Sequence, residues 1–206
     1  MNKTHTHKKM SEFFDRCFDE GLFHRFEEWE NKRAGRLLEM FNIRKDFRVV
    51  EPGCGCGRMT RLLAEKIGPK GKLHACEISP KMIEYCRSLN LSPRVEFHAG
   101  SVRSIDLPEN YADCILCFNV WPHFTDREGH LDFFRKLIRP GGLLYIAHSC
   151  SRAEVNAIHK NSSDSMIHGH MLPPAEELGD FLSENEWNVT RLMEDDEIYF
   201  VEATTE

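Results

Sequence analysis

The sequence predicts an α/β fold: seven strands in a mostly parallel sheet, helices on both faces, and an antiparallel hairpin to finish. Three observations carry that reading. From Asp46 onward, short apolar runs alternate with stretches of helical periodicity, the pattern of βαβ units. One strand-to-helix junction, Val49-Val50-Glu51-Pro52-Gly53-Cys54-Gly55-Cys56-Gly57-Arg58-Met59-Thr60, has an acid followed by glycine at every second position. Two strand-like runs, Trp187 to Met193 and Ile198 to Ala203, are split only by Glu194-Asp195-Asp196-Glu197, a link that suits an antiparallel pair.

The elements follow in order. Phe13, Phe14, Phe18, Phe23, Phe26, Trp29, Leu37, Leu38 and Phe41 recur at helical spacing, which predicts two helices broken near Gly21. This part, residues 1–45, is expected to form a helical cap or lid on residues 46–206, the whole being a single domain. Strands are expected near 47–51, 72–76, 94–98, 112–118 and 143–148, and helices near 58–67, 80–90, 127–138 and 174–185. Pro80 suits the first turn of its helix. Pro140-Gly141-Gly142 reads as the turn before the fifth strand.

Composition narrows the function. A length of 206 residues suits one domain, and 41% apolar with 29% charged residues is ordinary for a globular chain. The net charge of -6 argues against a phosphate-binding surface, so no nucleic-acid partner is expected. There is no apolar run of bilayer length and no signal-peptide core in Met1 to Met10, so a cytoplasmic monomer or homodimer without membrane contact is expected. The eight cysteines are expected to be reduced thiols. Cys114 and Cys117 sit three apart in a strand and should face opposite sides of the sheet. Cys54 and Cys56 are small residues within the glycine loop.

The loop's spacing excludes the dinucleotide fingerprint G-x-G-x-x-G: from Gly53 the third glycine falls at Arg58, and from Gly55 at Thr60. The acid-x-G-x-G-x-G pattern resembles the loop of class I S-adenosylmethionine-dependent methyltransferases, in particular their type 11/25-like domains. Twenty residues beyond Gly57, the second strand ends in Glu77, followed by Ile78-Ser79-Pro80. The stretches Arg94 to Val102, Tyr111 to Phe124 and Arg135 to Ile146 are similar to the later strands and turns of that family. The resemblance covers about residues 46–148 and implies a Rossmann-like methyltransferase fold. It implies a cofactor seat built from Glu51, Gly53, Gly55, Gly57, Glu77, Ile78, Ser101, Val102 and Asn119. Glu77 would accept ribose hydroxyls and Ile78 would pack on adenine. Many relatives have an acid where Ser101 stands.

In an open α/β sheet the reacting groups lie at the carboxyl ends of the strands. His123 and His148 are placed there as candidate bases, because an unperturbed imidazole titrates near neutrality. The segment His159 to Pro173 reads as a long inserted loop. With His148, His159 and His170 converging, it would suit a divalent metal such as zinc, although the spacing matches no tight zinc signature. The expected function is methyl transfer from S-adenosylmethionine to a small-molecule acceptor. The alternatives are a non-catalytic module binding S-adenosylmethionine or a metal, and, behind that, a nicotinamide oxidoreductase.

Overall fold

A computed structural model describes residues 3–206, with side chains from His7. Two helices, α1 (Lys3–Asp19) and α2 (Glu28–Met40), precede the sheet. There follow β1 (Arg48–Pro52), α3 (Arg58–Lys66), β2 (Lys72–Glu77), α4 (Pro80–Ser88), β3 (Val95–Ala99) and β4 (Ala112–Phe118). The chain ends with α5 (Arg127–Leu137), β5 (Ile138–His148), α6 (Arg152–Lys160), α7 (Ala175–Glu184), β6 (Asn188–Glu194) and β7 (Tyr199–Thr204).

The seven strands order as β3-β2-β1-β4-β5-β7-β6. Strands β1 to β5 pair in parallel, and β7 runs antiparallel to both β5 and β6. The expected terminal hairpin is present, but its second arm lies inside. Tyr199, Phe200, Val201 and Ala203 are buried on both faces, whereas β6 is almost wholly exposed. A strand apolar on both faces needs cover on both, so β7 takes the interior place and β6 the edge.

Each sheet face carries its own core. One joins Ala34 and Leu37 of α2, and Phe41 just past its end, to Met59 and Leu63 of α3, with Cys114, Leu116 and Phe118 beneath. The other joins Leu131 and Phe134 of α5 to Leu178 and Leu182 of α7, with Ile115 and Cys117 beneath. Cys114 and Cys117 therefore face opposite ways, and all eight cysteines are free thiols.

Three boundaries differ from expectation. β5 begins at Ile138, which pairs with Ala112, and the ladder resumes at Leu143 with Cys114. Residues 139–142 loop out between these points, with Gly141 at φ 66° and Asp113 tied to Arg139 at 2.6 Å. α1 starts at Lys3, well before Glu12. The expected loop from His159 to Pro173 is shorter, because His159 lies in α6. That helix has a capping box: Ser151 Oγ accepts from the Glu154 N–H, and Glu154 accepts from the Ser151 N–H. No helix among the described residues is long and apolar enough to cross a membrane.

Candidate active site

A cavity of about 650 Å3 opens at the carboxyl ends of β1, β2, β4 and β5. Its wall includes Glu51, Gly53, Gly55, Glu77, Ile78, Ser101, Val102, Asn119, His123, His148 and His159. Of the expected cofactor residues only Gly57 is outside that wall, and His170 is outside it too. Gly57 caps α3 at φ 75°, where a Cβ would come 3.2 Å from Cys86 Sγ. It serves the turn and close packing on α4.

The loop after β1 is held from both ends. The Cys54 N–H donates to the Cys76 carbonyl at 2.9 Å, and the Gly57 N–H to the Cys54 carbonyl at 2.9 Å. Between them, the Gly55 N–H donates to Glu77 Oε2 at 3.0 Å. The other oxygen, Oε1, accepts from the Ser79 N–H at 2.9 Å. Burial raises the Glu77 carboxyl, and these backbone donors oppose the rise. The Ile78 N–H is a third backbone donor to this carboxylate, which leaves one of its four lone-pair sites for a further donor.

Glu51 lies one residue before Pro52 and is buried, with Oε2 accepting from Thr60 Oγ1 at 2.7 Å. Burial pushes its carboxyl up to about 8, so it is protonated at neutral pH. Folding then binds a proton that the unfolded chain releases above its ordinary 4.5. Stability is full below 4.5, falls as pH rises, and levels off above about 8. Glu51→Gln keeps an acceptor for Thr60 without the titration. Calorimetric melting should show the variant gaining on the wild type steadily from pH 5 to pH 8. Parallel curves would show that Glu51 ionises freely.

The opposite wall is made by histidines. β5 delivers His148, 2% exposed, whose Nε2 is buried without a hydrogen-bond partner. Burial depresses this imidazole to about 3. His123, from the turn after β4, faces His170 with their Nδ1 atoms 3.0 Å apart and lies 4.9 Å from the His159 ring. Burial and these neighbours hold it well below 6.5. His159 Nδ1 bonds the His170 backbone carbonyl. The structure thus gathers His123, His159 and His170, but not His148, His159 and His170 as one close ligand set. Among the described residues, the group whose three ligand atoms all lie within 4.8 Å of one another is His74, Glu96 and His98, elsewhere in the sheet.

Asn119 adopts φ 53° at the end of β4. Its amide exchanges two bonds with Ser149, from Nδ2 to Oγ and from the Ser149 N–H to Oδ1, both at 3.0 Å. It thereby fixes the mouths of β4 and β5 together. Ser101 Oγ accepts from the Arg103 N–H at 3.3 Å.

Some wall residues escaped the sequence reading, whereas Phe13 and Phe14 were expected in the helical cap. α1 supplies Met10, Phe13 and Phe14, and Phe14 stands edge-on to His123 at 5.3 Å. Arg58 and Glu30 form a 2.9 Å ion pair in the wall, both side chains under 15% exposed. Ser11, Asp15 and Asp19 line one face of α1 at four-residue spacing. Ser11 Oγ donates to the Ile78 carbonyl at 2.8 Å, Ser79 Oγ to Asp15 at 2.5 Å, and Lys81 pairs with Asp19. The two acids complement the N-terminus of α4. The i, i+4 spacing was present in the sequence, but nothing local to α1 names its partner helix.

A doubly wound sheet with a glycine turn after β1 and a buried acid ending β2 is a frame on which α/β proteins seat nucleotides. The methyltransferase domain family matches residues 49–142. A ubiquinone/menaquinone biosynthesis C-methyltransferase of Pseudomonas savastanoi pv. phaseolicola is 26% identical over 113 residues, 53% of this chain and 44% of that protein. A malonyl-(acyl-carrier protein) O-methyltransferase of Acetivibrio thermocellus is 28% identical over 117 residues, 56% of this chain and 41% of that protein. The chain thus spans less than half the length of these curated relatives. In the complex of the Haloferax volcanii Trm112 methyltransferase activator with a putative methyltransferase, the matched chain superposes with a TM-score of 0.73. The two are 16% identical over 93% of this chain and 97% of that one. A S-adenosylmethionine-dependent methyltransferase from Aquifex aeolicus gives 0.68 at 20% identity, over 84% of this chain and 89% of that one. Residues 49–142 thus match a methyltransferase domain, and the chain has the Rossmann-like fold of class I S-adenosylmethionine-dependent methyltransferases.

Proposed function

We propose that this protein transfers a methyl group from S-adenosylmethionine to a small, largely apolar acceptor bearing one protic group. One observation carries the reading: a glycine loop clamped by Glu77 and a wall of neutral imidazoles close the same cavity. The loop fits the cofactor, because a Cβ on Gly55 would meet nothing within 4 Å and so point into open space. Gly53, Gly55, Glu77, Ile78 and Ser101 would hold it, with Glu77 accepting from hydroxyls. When bound, it supplies an electrophilic methyl group on a sulfonium.

The chain's own contribution is orientation, which can be worth about 7–11 kcal/mol in well-aligned reactions. Phe13, Phe14 and Met10 give the acceptor an apolar bed and exclude water, with α1 serving as a lid. The unpartnered His148 Nε2 accepts the acceptor's hydroxyl or amine hydrogen. His123, braced by His170 and Phe14, is the second proton-accepting group. The curated relatives are named for carbon and oxygen methylation, so they leave the acceptor atom open.

The test is calorimetry with S-adenosylmethionine, S-adenosylhomocysteine and NAD, then transfer of labelled methyl to a panel of apolar phenols, amines and thiols. Micromolar binding of the two adenosyl ligands, no NAD binding and a labelled product support the reading. The fold also carries a protein described as a (4+2)-cyclase, with a TM-score of 0.63 at 19% identity, so the labelled product decides and not binding alone. His148→Asn should lower kcat about 100-fold or more with cofactor affinity unchanged. An equal loss of cofactor affinity would place His148 outside the acceptor site.

A further inference from the structure

A polar cluster unconnected with the cavity lies on β2 and the edge strand β3. Parallel pairing puts His74 opposite Glu96, and Cys76 opposite His98. Residues two apart in a strand share a face, so His74, Glu96 and His98 all stand on one side of the sheet. His74 Nδ1 lies 3.1 Å from His98 Nε2 and 3.6 Å from Glu96 Oε2. We propose that His74, Glu96 and His98 form a binding site for one divalent transition-metal ion of the zinc class.

The geometry supports this in three ways. Two ligands about 2.0–2.1 Å from a tetrahedral metal stand about 3.3 Å apart, and the two measured separations bracket that distance. The other nitrogen of His74, Nε2, is 2.9 Å from the Tyr111 hydroxyl, which fixes the ring so that Nδ1 faces the site. The second oxygen of Glu96 is held by Lys72 at 2.8 Å. Burial lowers both imidazoles, so each ring is neutral at neutral pH and has one bare nitrogen. Binding requires only that the hydrogen shared between His74 and His98 move to the outer nitrogen of His98. Glu96 is exposed, leaving a solvent-facing fourth position for water.

Such an ion would staple β3 to β2 just before Glu77, whose carbonyl accepts from the Gly100 N–H at 2.8 Å. The site is thus structural and does not depend on methyl transfer. The test is calorimetric titration of zinc into chelator-treated full-length protein, with cobalt absorption and thermal melting alongside. Expected are one ion per chain, the intense visible bands of tetrahedral cobalt, and a Tm rise of about 5–10 °C at a hundredfold excess over Kd. Glu96→Gln and His98→Ala should each weaken binding at least about 30-fold. The paired pocket change His159→Ala with His170→Ala should leave it unchanged. No saturable zinc binding, or binding that survives His98→Ala and Glu96→Gln, or binding lost with the pocket pair alone, overturns the proposal.

Discussion

Replacing Gly55 by aspartate is expected to raise the Kd for S-adenosylmethionine at least about 100-fold while the fold survives. A Cβ at this position meets nothing within 4 Å, so the protein itself offers no resistance. The backbone stands at φ 54°, a conformation aspartate accepts more readily than most residues, at about 1–2 kcal/mol. That is a few degrees in Tm for a chain of this size. The new carboxylate, however, stands where the ligand is to sit. It also lies beside Glu77, whose Oε2 is 3.0 Å from the Gly55 N–H, so it repels the charge that clamps the loop. Calorimetry and thermal melting separate the two effects. Binding within tenfold of the wild type would remove the loop from the cofactor seat.

Gly53→Ala tests the neighbouring glycine and should act on the fold. Its Cβ would stand 2.3 Å from Val120 Cγ2 and 3.0 Å from Val120 Cβ, at φ 68°. Left-handed strain costs about 1–2 kcal/mol and overpacking about 1–3 kcal/mol. Together they predict a Tm drop of about 5–20 °C, read by calorimetry. The second change Val120→Ala removes the clash and leaves the strain, so the double variant should melt above Gly53→Ala. Additive losses would show that Val120 is not the obstacle. Two glycines two residues apart thus differ: one makes room for a valine, and the other faces open space.

What the sequence revealed and what it hid divide along a physical line. Cys114 and Cys117 were placed on opposite faces by strand period alone, and they enter different cores. The glycine loop and Glu77 were legible because turn chemistry and strand ends are local features, and the two meet at a 3.0 Å hydrogen bond. α6 was not expected, although Ser151 and Glu154 carried a local capping signal for it. The looped-out Gly141 hid the true start of β5. Other features had no local signal. Nothing near Arg58 in the chain names Glu30, 28 residues away. Nothing in α1 says that Phe14 meets His123. His74, Glu96 and His98 become neighbours only through strand register, which apolar pattern leaves open when a strand is buried on both faces.

The position of β7 has a consequence for how the chain is made. β5 finds its second neighbour only in Tyr199–Thr204, after some fifty intervening residues have been added. At about 5–20 residues per second, synthesis leaves β5 with an open, hydrogen-bonding edge for about 3–10 s. During that interval both cores also lack the buried side chains of β7, because Phe200 belongs to one and Tyr199, Val201 and Ala203 to the other. A ribosome-bound intermediate with an apolar, unpaired strand is therefore built into the topology, and it is the stage at which a chaperone would find the most to hold.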